Sequence, residues 1–227
     1  MVRVVSFAIS LMFIVVMPAL AQQQQVLVQQ KLIELLPREQ EIALALSAAP
    51  EHLREDATVY VFNKSGYIKS HEGTNGFTCL VNRDAILDGE SVLKPTCWDA
   101  EGSATVVPMV LRVGELLAHD KSREEIQHDI DQRFRTGKFI APRKAGVAYM
   151  LAGDIDQYNA IANRVESRSF PPHLMFYAPN VTNADIGYSP EAAAKNPWLP
   201  VVWGRGANHS YIVVVVGDSP GHFHSRE

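Results

Sequence analysis

The chain has only two cysteines and three tryptophans among its 227 residues. A single cysteine pair rules out a cysteine-dense secreted scaffold and a multi-cysteine zinc or iron–sulfur module. Cys79 and Cys97 show neither the C-x-x-C spacing of a redox site nor that of a zinc knuckle. Charge of one sign is also scarce. Lys+Arg number 21 against 25 Asp+Glu, a net charge of −4. A weakly acidic balance supplies no electrostatic footprint for nucleic acid or anionic lipid. The loose cluster Arg123, Arg133, Arg135, Lys138, Arg143 and Lys144 is neutralised by Glu124, Glu125, Asp129 and Asp131. No nucleic-acid partner is expected. Long hydrophobic runs are absent after residue 21, so no membrane span is expected there. The chain also lacks a G-x-S-x-G elbow, an S-x-x-K set, a P-loop and a G-x-G-x-x-G turn.

What is present begins at the N-terminus. Arg3 precedes an apolar run over Val4–Met17, and Pro18-Ala19-Leu20-Ala21 puts small residues at the positions a signal peptidase reads. This is the pattern of a cleavable secretory leader over residues 1–21. Its apolar run is too short for a bilayer-spanning helix, which needs about 20 residues. The expected location is therefore periplasmic or extracellular. Removing the leader takes out one arginine and leaves a balance of −5. In an oxidising compartment Cys79 and Cys97 are expected to form a disulfide.

The glutamine-rich stretch within residues 22–36 reads as a polar N-terminal segment, and residues 219–227 as a polar tail. Between them, residues 37–218 read as one α+β domain: an antiparallel or mixed sheet with three to five packed helices. A helix is expected over 37–48, with Pro37 in its first turn and Glu39 and Glu41 at its positive end. Residues 57–81 read as an antiparallel meander of three strands. The pairing of Cys79 with Cys97 would tie the third strand to a loop at 95–98. Two helices follow, at 107–118 and from Ser122. Ser122 and Glu125 have the capping-box spacing, and Gly137 is the expected stop. A strand is expected at 146–151 and a helix at 154–165, where Ile155, Tyr158, Ile161 and Val165 recur at helical spacing. The last strands are 173–178 and 211–216, the second apolar enough to be buried on both faces.

Five strings stand out together: Gly73–Cys79, Pro95–Asp99, Ala148–Leu151, Pro172–Pro179 and Thr182–Gly187. As an ordered set they resemble an uncharacterised family of exported bacterial proteins. The resemblance covers roughly residues 41–217. It implies a bacterial origin, an exported location and a paired cysteine, and brings no activity, ligand or catalytic residue with it.

Chemistry could rest on four sets of residues. His71, His173 and His209 are expected at strand entries. Were they to converge with Glu72 or Asp185, they would form a His/carboxylate set of the kind zinc prefers. A histidine hydrogen-bonded to a loop is the commoner outcome, and no pair has local ligand spacing. His222 and His224 form an H-x-H pair in the polar tail. The loop Asn180–Gly187, with Asp185, could hold a hard cation or a sugar, although Asn, Asp and Gly equally make turns. Trp198 and the string Trp203-Gly204-Arg205-Gly206 could border a ligand pocket or plug a sheet edge. The leading functional expectation is non-catalytic binding of a small molecule or a protein partner. The alternatives are a small metal-dependent hydrolase using the three histidines, and a structural envelope protein. No cofactor is specified by any motif.

Overall fold

The computed structural model describes residues 33, 35–88, 92–153, 155–159, 164–168, 171–196, 198–204 and 206–217. The expected leader, most of the glutamine-rich segment, the tail with His222 and His224, and Arg205 lie outside the described residues. The fold is α+β. Ten strands are described: β1 (Thr58–Asn63), β2 (Gly66–His71), β3 (Thr78–Asn82), β4 (Lys94–Trp98), β5 (Val147–Met150), β6 (Ile155–Asn159), β7 (Arg164–Arg168), β8 (His173–Tyr177), β9 (Val201–Trp203) and β10 (Tyr211–Val215). Eight of them form one mixed sheet in the order β2-β1-β3-β4-β5-β8-β10-β9, while β6 and β7 pair separately. The helices are α1 (Arg38–Ser47), α2 (Glu51–Arg54), α3 (Ala100–Thr105), α4 (Val107–Ala118), α5 (Arg123–Arg135) and α6 (Pro190–Lys195), with a 3-10 turn at Asp84–Asp88.

Side chains alternate across the strands, so β3 and β4 serve two cores at once. Leu80 and Trp98 point to one face, where Val107, Val110 and Leu117 of α4 and Ile126 and Ile130 of α5 cover them. Cys79, Val81 and Cys97 point to the other, against Ala45 of α1 and the neighbouring Ala48 and Ala49. The disulfide Cys79–Cys97 lies in this second core, between residues directly opposite each other on β3 and β4. The expected helix boundaries hold for α1, α4 and α5. Ser122 and Glu125 close both halves of the capping box, and Gly137 ends α5 at φ +72°.

Four expectations are corrected. First, β1, β2 and β3 do not form a meander, because β3 runs parallel to β1. After β2 the chain is drawn back to the start of β1. Asp56 O accepts from Thr74 N and Asn75 N, Thr58 Oγ1 from Gly73 N, and Phe77 O from Thr58 N. The chain therefore enters β3 at the end where β1 begins. Second, residues 95–98 are part of strand β4, not a loop. Pro95 disguised it, since proline in a paired strand is rare, yet β4 pairs with β3 and β5. Third, Ile155–Asn159 and Arg164–Arg168 pair antiparallel as β6 and β7 where a helix is expected, and the rest of that expected helix lies outside the described residues. Tyr158 and Val165, counted toward helical periodicity, are both good strand formers and stand opposite each other in the β6–β7 register. Fourth, β10 is not buried on both faces. Ile212–Val215 are half-buried and Val216 is 51% exposed. Helix α1 covers β1, β3 and β4 and does not reach this end of the sheet.

Glu41 also has a role beyond its helix. It is fully buried and forms a bidentate pair with Arg83, at 2.8 and 2.9 Å, while Glu41 Oε1 accepts from Phe62 N at 2.8 Å. The Arg83 guanidinium lies 4.7 Å from the Phe62 ring centroid.

Candidate functional site

The helices on the first face stop short of the far half of the sheet. Beyond Val110 of α4 the strands curl around a cavity of about 310 Å3. Its floor alternates out of consecutive strands: Thr96 and Trp98 from β4, Met150 from β5, Met175 from β8, Tyr211, Val213 and Val215 from β10, and Val201 from β9. The period-two geometry of a strand accounts for the i, i+2 spacing of these residues. The inner end is sealed where Trp98 Nε1 donates to the Tyr211 hydroxyl at 3.0 Å, and burial pushes the Tyr211 phenol up from its ordinary pKa.

The mouth is polar. Asn82, Asp84, Lys94 and His173 stand there with the Trp203 indole, which is 58% exposed. Lys94 Nζ donates to Asp84 Oδ1 at 2.8 Å. The same ammonium lies 5.4 Å from the Trp203 ring centroid. Strands β4 and β9 are separated by β5, β8 and β10, which on a flat sheet would put them about 19 Å apart. The Lys94–Trp203 contact therefore spans the concave side of a curled half-sheet. His173 Nδ1 lies 2.8 Å from Pro171 O. Burial, with the Lys94 charge adding to it, holds the His173 imidazole below its ordinary pKa.

The three histidines singled out above do not converge. His71 ends the edge strand β2, five strands from β8, or about 24 Å along a flat sheet. It borders a surface groove with Arg38 and Ser70. His173 and His209 flank opposite ends of the β8–β10 pair, because His173 faces Val215 and Tyr177 faces Tyr211. The His209 ring stacks on Phe134 at 5.9 Å between centroids, and burial lowers its pKa. Its Nδ1 and the neighbouring Ser210 Oγ are buried without a hydrogen-bonding partner among the described residues. Asp185 accepts from Thr182 N and Thr182 Oγ1 at 2.8 and 2.7 Å, which makes it a turn residue of the 180–187 loop. These hydrogen bonds hold its carboxyl below the usual range. Among the described residues no group of three or more His, Cys, Asp or Glu side chains could hold a metal ion.

Of the residues chosen from sequence, His173 and Trp203 meet at the cavity. Lys94, Asp84, Met150, Met175 and Val213 carried no local signal, since they come from separate strands that only the sheet brings together. Among the described residues no helix is long and apolar enough to cross a membrane. Comparison with known protein families, with curated proteins and with solved structures finds no match for this chain.

Proposed function

We propose that this chain is an exported protein that binds one small, mainly apolar molecule on the concave side of its sheet. The cavity beyond α4 carries this reading. Its size lies at the lower end of the range for small-molecule sites, about 300–1,000 Å3. Its composition follows the usual rule for such sites, an apolar interior with a few polar groups at one end. Export is supported by the N-terminal pattern and is compatible with the disulfide.

The test uses the neutral fluorescent probe 2-methoxynaphthalene. Saturable binding with one site per chain is expected. The variant Val213→Trp, which fills the floor of the cavity, should abolish it while the circular dichroism spectrum stays unchanged. Absence of saturable binding, or equal binding by the folded variant, would show that the cavity is not a ligand site.

A further inference from the structure

The charges at the mouth bear on which molecules the cavity admits, given the ligand-binding reading above. Among the described lining residues the permanently charged groups are Lys94 and Asp84, and they pair with each other. Lys94 is the deeper of the two, its side chain 18% exposed against 38% for Asp84. The third titratable group apart from the buried tyrosine is His173, which its surroundings keep toward the neutral form. The mouth thus has no net charge at neutral pH.

We infer that Asp84 and Lys94 together act as a filter that restricts the cavity to uncharged ligands with an apolar body and a hydrogen-bond acceptor at one end. A carboxylate reaching Lys94 would meet the Asp84 carboxylate already there, and like charges around one ammonium repel. A cationic ligand drawn to Asp84 would meet Lys94 in the same way. In either case a charge would leave water without a partner of its own, which is costly at a half-buried site. A carbonyl or ether oxygen brings no charge. It can accept from the Lys94 ammonium, which has three donors and spends one on Asp84. The apolar body then lies over Met150, Met175 and Val213, and a flat one can also face the Trp203 indole. At about 20–30 Å3 per non-hydrogen atom the space suits a molecule of on the order of ten to fifteen such atoms.

Three probes of nearly one size and shape separate the possibilities at pH 7 by calorimetric titration: 2-acetylnaphthalene, 2-naphthoate and 2-naphthylmethylammonium. The full chain should bind the ketone at least tenfold more tightly than either ion. Asp84→Asn keeps the side-chain shape and leaves Lys94 without its counter-charge. It should raise the affinity for 2-naphthoate by tenfold or more while the ketone changes by no more than about twofold. Lys94→Met should shift preference toward the ammonium probe. Tight binding of 2-naphthoate by the unaltered chain, or a ranking that Asp84→Asn leaves unchanged, overturns the filter and leaves the binding reading standing. Failure of all three probes, together with 2-methoxynaphthalene, overturns both.

Discussion

Glu41 shows how much one side chain can depend on a partner remote in sequence. Read along the helix, it is an acidic residue near the positive end of α1, worth a few tenths to about 1 kcal/mol. In the fold it is fully buried against Arg83, 42 residues away, and also holds the Phe62 amide. Removing one partner of a buried pair commonly costs about 3–5 kcal/mol, because the remaining charge stays in a poorly solvating interior. Glu41→Gln is therefore expected to lower the urea midpoint strongly. Replacing both Glu41 and Arg83 by Met should recover much of that loss. A Glu41→Gln variant as stable as the parent would show that the pair carries no such weight. Nothing local to Glu41 or Arg83 announces the pairing, since both residue types are far commoner on surfaces.

At the scale of elements, turns and caps were legible where the signal is local. The Ser122–Glu125 box, the Gly137 stop and the strands β1, β2, β5, β8 and β10 follow from short-range chemistry. The parallel placement of β3 does not. It depends on Gly73, whose backbone passes so close to the start of β1 that an added Cβ would lie 2.2 Å from Asp56 O and 2.3 Å from Thr58 N. Those are backbone atoms and cannot swing aside. Gly73→Ala is expected to destabilise the chain by about 1–3 kcal/mol, the usual cost of overpacking, or more if the crossing is lost. Amide hydrogen exchange should show the loss first at Thr74, Asn75 and Thr58, whose amides hold the crossing. Exchange at these amides unchanged from the parent would mean that the crossing tolerates a side chain. The β6–β7 pair is hidden in the sequence for a different reason. Four apolar residues at helical spacing outweigh the strand preference of Tyr158 and Val165, and pairing between two strands is invisible to a one-dimensional period.

At the scale of the whole molecule, the disulfide and the cavity share strand β4 and lie on opposite faces of it. Cys79–Cys97 joins adjacent strands under α1 and closes a separation of 18 residues. In the chain-entropy account such a link contributes about 3 kcal/mol by restricting the unfolded chain. The double variant Cys79→Ala/Cys97→Ala should lose about that much in urea unfolding and leave the proposed binding of 2-methoxynaphthalene unchanged, because neither cysteine lines the cavity. A variant that unfolds at the parent's urea concentration would assign the disulfide no stabilising role. Loss of probe binding with the fold intact would mean that the two faces of β4 are coupled.

The amino-acid sequence by itself determined the class of the fold, the three longest of its described helices, six of its ten described strands, the pairing of its two cysteines and the near-neutral charge balance. Those properties follow from composition and from contacts within a few residues. The tertiary structure alone decided the strand order, the parallel β1–β3 pair, the burial of Glu41 with Arg83 and the cavity. Each of these joins residues tens of positions apart. Lys94 meets Trp203 only because four strand spacings curl back on themselves, and a sequence period records which face a residue takes but not how far the sheet bends.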